Sequence, residues 1–174
     1  MKTKSRRYLT YAQIIDHEGH SYAINNSQKH GLYPQMLKPA IDQLNICMDR
    51  WRRVFVIRFD LHQHEYTENS LMISRFRKNL ARKLERQYGI SAVGYYWVRE
   101  REKVKNQHYH VALFLDGNLI RHPSALVKII TETWGNLNTG NSTYYPKHCY
   151  YNVVDNQSRN EVVYRLSYFA KSRG

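Results

Sequence analysis

Cysteine is almost absent from this 174-residue chain. Cys47 and Cys149 are the only two, too few for a disulfide framework or a four-cysteine zinc site, and they suit a reducing cytoplasm. No Pro/Gly/Ser-rich stretch divides the chain and no segment repeats, which predicts one domain over 1–174. No apolar run approaches the ~20 residues that span a bilayer. The N-terminus, Met1-Lys2-Thr3-Lys4-Ser5-Arg6-Arg7, is basic but lacks the apolar stretch of a secretory signal, so neither membrane insertion nor export is expected. A Gly-rich phosphate loop is also missing, which argues against ATP hydrolysis. Acidic residues are scarce: 14 Asp+Glu face 27 Lys+Arg, leaving a formal charge of +13.

What is present points to a folded, nucleic-acid-binding protein. A hydrophobic content of 42% with 24% charged residues excludes a disordered tail. The cationic surplus runs along the whole chain, and a surplus of that kind attracts a polyanion. Tyrosine contributes 15 residues, and flat amphipathic rings stack on unpaired bases. The competing explanation is a basic surface that serves solubility alone.

Periodicity gives the elements. Tyr11–Asp16 and Ser21–Ile24 suggest a hairpin about His17-Glu18-Gly19-His20. From Gln35 to Trp51, Leu37, Ile41, Leu44, Met48 and Trp51 form one helical stripe. Val54–His62 is rich in β-formers. A helix is expected over Thr67–Tyr88, with Ile73, Phe76, Leu80, Leu84 and Tyr88 inward and Gly89 as its stop. Ala92–Glu100 and His108–Leu115 read as strands about a polar turn, Arg101–Gln107, and Asp116-Gly117 closes the second. Pro123 opens a helix with Val127, Ile130 and Trp134 on its apolar side. Gly135–Ser142 reads as loop, Tyr150–Asp155 as a strand and Ser158–Ser172 as a last helix. The sum is an α+β domain: a central antiparallel sheet, helices packed on one face, and the other face open for the active site.

The chemistry-bearing residues gather on that open face. In His108-Tyr109-His110-Val111-Ala112-Leu113-Phe114-Leu115, alternation projects His108 and His110 together, away from the apolar set. Such an imidazole pair binds divalent metals. A hairpin would bring Glu100 or Glu102 beside it, and two imidazoles with one carboxylate leave positions open for substrate oxygens. Arg58, Asp60 and His62 share one face of their strand. There Asp60 is a ligand or an anchor for one, Arg58 a holder of phosphate, and His62-Gln63-His64 a competing metal pair. His17-Glu18-Gly19-His20 lacks metal-site spacing, and Lys147-His148-Cys149 lacks partners. The doublets Tyr144-Tyr145 and Tyr150-Tyr151 suit base stacking and sheet packing equally.

On an ideal last helix, with Tyr164 at zero, Tyr168 lies near 40° and Lys171 near −20°, at roughly 100° per residue. Val162, Leu166 and Phe169 fall opposite them, toward the core. A metal that polarises a phosphodiester and a tyrosine that attacks it make a transesterification site. A phenol, with a pKa near ~10, needs a nearby cation or metal to act as nucleophile.

His108-Tyr109-His110 followed by apolar residues, with Val56–His62 and Trp97-Val98-Arg99-Glu100 upstream and Tyr168-Phe169-Ala170-Lys171 downstream, resembles the HUH endonuclease superfamily. Within it the chain looks most like the inovirus (filamentous-phage) type of rolling-circle replication initiator and its prophage relatives. The likeness covers about residues 50–171, with 1–50 as an N-terminal extension and first helix and 51–174 as the catalytic core. It implies a ferredoxin- or RRM-like topology and an enzyme that nicks single-stranded or hairpin origin DNA with Mg²⁺ or Mn²⁺, staying joined to the 5′ end through a phosphotyrosine. His108, His110 and Glu100 would then hold the metal, Tyr168 would be the nucleophile and Lys171 its assistant. Tyr164, one turn earlier, is an alternative or second nucleophile. A host helicase or polymerase would be a partner, in a bacterial cytoplasm. A transposase or mobilisation relaxase of the same fold, and a non-catalytic DNA- or RNA-binding regulator, are the rival expectations.

Overall fold

The computed structural model describes residues 8–27, 29–100, 107–120 and 122–172. Its first element is the expected hairpin, β1 (Ile14–His17) against β2 (His20–Ala23). Glu18 and Gly19 turn it with φ of 49° and 74°, the paired left-handed conformation of a tight hairpin, easy for glycine. α1 (Pro34–Arg50) follows, with proline at its first position, where no amide partner is lost. β3 (Val54–His62) leads to α2 (Leu71–Tyr88), which Gly89 ends in the left-handed conformation. α2 starts at Leu71 rather than Thr67, because the Thr67 hydroxyl donates to the Asn69 carbonyl within a turn and the Asn69 side chain accepts from the Leu71 amide at the helix start.

β4 (Gly94–Glu100) and β5 (His108–Asp116) pair antiparallel, α3 runs from Pro123 to Gly135, and β6 (Ser142–Tyr144) and β7 (Tyr150–Val153) follow. α4 (Asn156–Leu166) passes into a 3₁₀ turn, Ser167–Ala170. The main sheet has the order β4-β5-β3-β6, with β7 also on β3. With the connectivity β3-α2-β4-β5-α3-β6, this is a ferredoxin-like β-α-β-β-α-β arrangement. The fold is α+β, as the sequence predicts.

The layering differs from expectation. Phe55, Ile57, Phe59 and Leu61 of β3 and Tyr109, Val111, Leu113 and Leu115 of β5 are buried under α2 and α3, through residues such as Phe76, Leu80, Ile130 and Trp134. Each such side chain contributes about 1.5–3 kcal/mol on leaving water. The opposite face is not bare: Val54, Val56, Ala112 and Phe114 are buried beneath α1 and α4. These strands are apolar on both sides for half their length, and that half needs two covers. Only where Arg58, Asp60, His62, His108 and His110 replace the apolar residues does the second face stay accessible.

The last helix also needs correction. It ends at Leu166 rather than Ser172, because Ser167 bonds the Tyr164 carbonyl through its side chain (2.6 Å) and the chain tightens into the 3₁₀ turn. The α-helical angles predicted for Tyr168 and Lys171 therefore do not apply. Residues before α1, expected as an extension, are built into the body: Tyr22, Ile24 and Leu32 are buried in the α1–α4 layer. Leu32 bridges both Thr10 and Lys171, and Tyr33 donates its amide to the Ala170 carbonyl at 2.9 Å.

Candidate active site

Register assembles the site. β5 lies between β3 and β4, so His110 stands opposite Asp60, His108 opposite His62 on one side, and His108 opposite Glu100 on the other. All five side chains project from one face. Glu100 Oε2 lies 2.6 Å from His108 Nε2 and 2.9 Å from His110 Nε2. Asp60 Oδ1 lies 2.7 Å from His110 Nδ1. His62 stacks on His108 with ring centroids 5.3 Å apart. Partial burial, then the neighbouring His108 imidazole, holds His62 below the usual histidine range, with Asp60 opposing.

Glu100, His108 and His110 offer ligand atoms that all lie within 4.8 Å of one another. If His110 donates from Nδ1 to Asp60, the lone pair of Nε2 faces a carboxylate oxygen. Positive charge placed among the three groups, as a proton or a metal cation, relieves that conflict. The donor set of two imidazoles and a carboxylate, with a second carboxylate orienting one ring, fits a divalent metal. Glu102, the alternative third ligand, lies outside the described residues. His64 lies beyond the end of β3 and is exposed, so the competing pair is not brought together with His108 and His110.

Buried glutamines fix the strand ends beneath the histidines. Gln63 and Gln107 are 0% and 2% exposed. Gln107 Nε2 donates to Tyr109 Oη at 2.6 Å and to Gln63 Oε1 at 3.3 Å, while Arg99 donates to Gln107 Oε1 at 2.6 Å. Trp134 Nε1 donates to the His62 carbonyl at 3.0 Å, tying α3 to the same corner. Sequence reasoning missed both glutamines, although their positions beside His62 and His108 are a usable signal.

A cleft of about 310 Å³ opens from His110, lined by Asn25, Arg58, Asp60, Arg165 and Tyr168 among others. It exists because the edge beside β3 is interrupted. Tyr144 pairs with Asp60 and Tyr150 with Ile57, and the Cys149 carbonyl still accepts from the Arg58 amide at 2.7 Å, so residues 145–148 form the bulge between the two short strands. Pro146, which has no amide to donate, sits in that bulge and also lines the cleft.

Tyr168 enters from the 3₁₀ turn, its ring edge-on to His110 at 5.9 Å between centroids. Phe169 pins the turn, stacking on His110 (5.1 Å) and on Tyr96 (5.7 Å). Lys171 Nζ lies 5.5 Å from the Tyr168 ring centroid and donates to Asn25 Oδ1 at 3.2 Å. Lys171 thus keeps its place beside Tyr168, held by the N-terminal segment rather than by a helical turn. Tyr164 is exposed on α4 and does not line the cleft.

The remaining candidates have ordinary partners. His17 pairs with Asp42 at 2.5 Å, and the His148 carbonyl accepts from Arg58 Nε at 3.3 Å. Tyr150 stacks on Phe55, Tyr145 donates to the Val127 carbonyl, and Tyr144 is the doublet member that reaches the cleft. No described helix is long and apolar enough to cross a membrane. The chain matches no curated protein and no solved structure. The model of one family, the YagK/YfjJ C-terminal domain, matches residues 17–174, and the chain belongs to that family.

Proposed function

We propose that the protein is a metal-dependent, site-specific endonuclease and strand transferase for single-stranded or hairpin origin DNA. It initiates rolling-circle replication in a bacterial cytoplasm through a 5′-phosphotyrosine on Tyr168. The observation that carries this reading is convergence: the Tyr168 ring and the Glu100/His108/His110 cluster meet at His110, at the mouth of one cationic cleft.

Glu100, His108 and His110 would hold Mg²⁺ or Mn²⁺, which supplies Lewis-acid polarisation of the scissile phosphate when bound. Asp60 keeps the His110 ring oriented with Nε2 toward the ligand position. Arg58 and Arg165 line the cleft and offer guanidinium groups to the phosphates of a strand lying in it. The Tyr168 phenol oxygen forms a bond to phosphorus as the bond from phosphorus to the 3′ oxygen breaks. The phenol gives up its proton and the departing 3′ oxygen takes one. One phosphodiester replaces another, so a 3′ hydroxyl can reverse the step and rejoin the strand. Lys171, against the Tyr168 ring, supplies positive charge near the phenolate.

Labelled single-stranded and hairpin oligonucleotides from the DNA around the coding sequence, incubated with Mn²⁺, test this. A denaturation-resistant adduct is expected from the parent and from Tyr164→Phe. It should be lost with Tyr168→Phe, with His108→Ala/His110→Ala and in EDTA. An adduct that survives Tyr168→Phe overturns the nucleophile. DNA binding without any adduct, indifferent to EDTA, overturns the enzyme in favour of a non-catalytic regulator.

A further inference from the structure

The far side of the sheet carries a second cationic feature that the cleavage chemistry does not use. α2 holds Arg75, Arg77, Lys78, Arg82, Lys83 and Arg86 against a single acid, Glu85. Its apolar residues Ile73, Phe76, Leu80 and Leu84 turn inward and are buried, which leaves Arg75, Lys78, Arg82 and Arg86 exposed in one stripe. From Arg75 to Arg86 the stripe is ~16 Å long at the α-helical rise. Between α2 and α3 lies a groove of about 260 Å³ lined by Asn79, Arg82, Lys83, Arg86, Thr133 and Asn136.

Every side chain in that lining is a cation, an amide or a hydroxyl, and no carboxylate is among them. The Asn79 amide oxygen accepts from Arg82 Nη2 at 2.6 Å and so orients it. Among the described residues, no carboxylate forms an ion pair with Arg82, Lys83 or Arg86. We infer that the α2–α3 groove binds the phosphate backbone of duplex DNA, on the face opposite the cleft that takes the single strand.

Two features select a duplex over other polyanions. The groove offers no exposed aromatic ring, so a single strand would find nothing to stack on. Leu71 is the one large hydrophobic exposed on α2, and α3 exposes none, so this face has no apolar stripe to enter a lipid headgroup layer. A straight row of cations several phosphates long matches a rigid backbone. The protein would then grip double-stranded DNA behind the sheet while a neighbouring unpaired strand occupies the front.

The test uses the full chain in EDTA with a short fluorescent duplex, read by anisotropy over a salt series. Arg82→Gln/Lys83→Gln/Arg86→Gln should weaken duplex binding at least roughly tenfold and flatten the dependence of log affinity on log salt by about 2–3, at ~0.9 per lost phosphate contact. Arg86→Gln alone should flatten it by about 1, and circular dichroism should show both variants folded. Adduct formation on a short single strand should be unchanged in both. Duplex affinity within twofold of the parent, or a parent that prefers phosphatidylserine vesicles or double-stranded RNA to duplex DNA, overturns the inference. Because the assay needs neither metal nor Tyr168, a failed cleavage assay leaves it standing, and its own failure leaves the cleavage proposal untouched.

Discussion

Asp60 shows how one side chain decides what its neighbours can do. Its carboxylate meets His110 Nδ1 at 2.7 Å, which determines the nitrogen His110 presents to Glu100. Asn in its place still accepts a hydrogen bond but removes the charge that favours Nδ1–H and raises the basicity of the ring. Asp60→Asn should therefore weaken Mn²⁺ binding roughly 10–100-fold with little change in melting temperature, as titration calorimetry would read. Unchanged affinity would mean that Asp60 does not orient the ligand. His62 stacks on His108 and is held below the usual histidine range by burial and by that neighbour, a shift that favours its neutral form beside a cation.

At the scale of elements, α4 and the turn after it aim the tyrosine. Asp155 caps α4: its carboxylate accepts from the Ser158 amide at 2.8 Å and from the Ser158 hydroxyl at 2.6 Å. These bonds, the side-chain one first, hold Asp155 below its ordinary value of 3.8. A carboxylate depressed by folding stabilises the native state above that ordinary value and loses its contribution as pH falls through the lower folded value. Urea midpoints of Asp155→Ala should be lower than the parent's at pH 5 and converge with them toward pH 2, since both chains then lack the charged cap. A constant gap across that range would show that the carboxylate charge is not what caps the helix.

At the scale of the molecule, the tyrosine turn belongs as much to the N-terminal segment as to α4. Leu32, fully buried, bridges Thr10 and Lys171. The Asn25 amide donates to Ser167 Oγ at 2.8 Å, and the Ser172 amide to the Gly31 carbonyl at 3.1 Å. Leu32→Ala and Leu84→Ala, both at fully buried positions, should each destabilise by about 2–5 kcal/mol. At a temperature where both variants stay folded, only Leu32→Ala should slow adduct formation, because Leu84 belongs to α2 and packs into the core on the far face of the sheet. Equal slowing would make the effect one of general stability.

The sequence by itself determined the long strands β3, β4 and β5 and the facing of His108 with His110, but it did not show the short edge strand β6 and left Glu100 and Glu102 both open as the carboxylate across the hairpin. Alternation is a local property that gives each side chain its face but not the register between strands. It also carried the cationic surplus, since charge is simply counted. It did not determine the second helical layer, because Val54, Val56, Ala112 and Phe114 announce burial without naming their cover. Nor did it reveal the break in the last helix at Leu166, where a Ser167 side-chain bond and the N-terminal strand of contacts outweigh helical propensity. The choice between Tyr164 and Tyr168 as the ring beside His110 was likewise tertiary. It depends on Phe169 stacking between His110 and Tyr96, a contact between residues far apart in the chain that no spacing rule encodes.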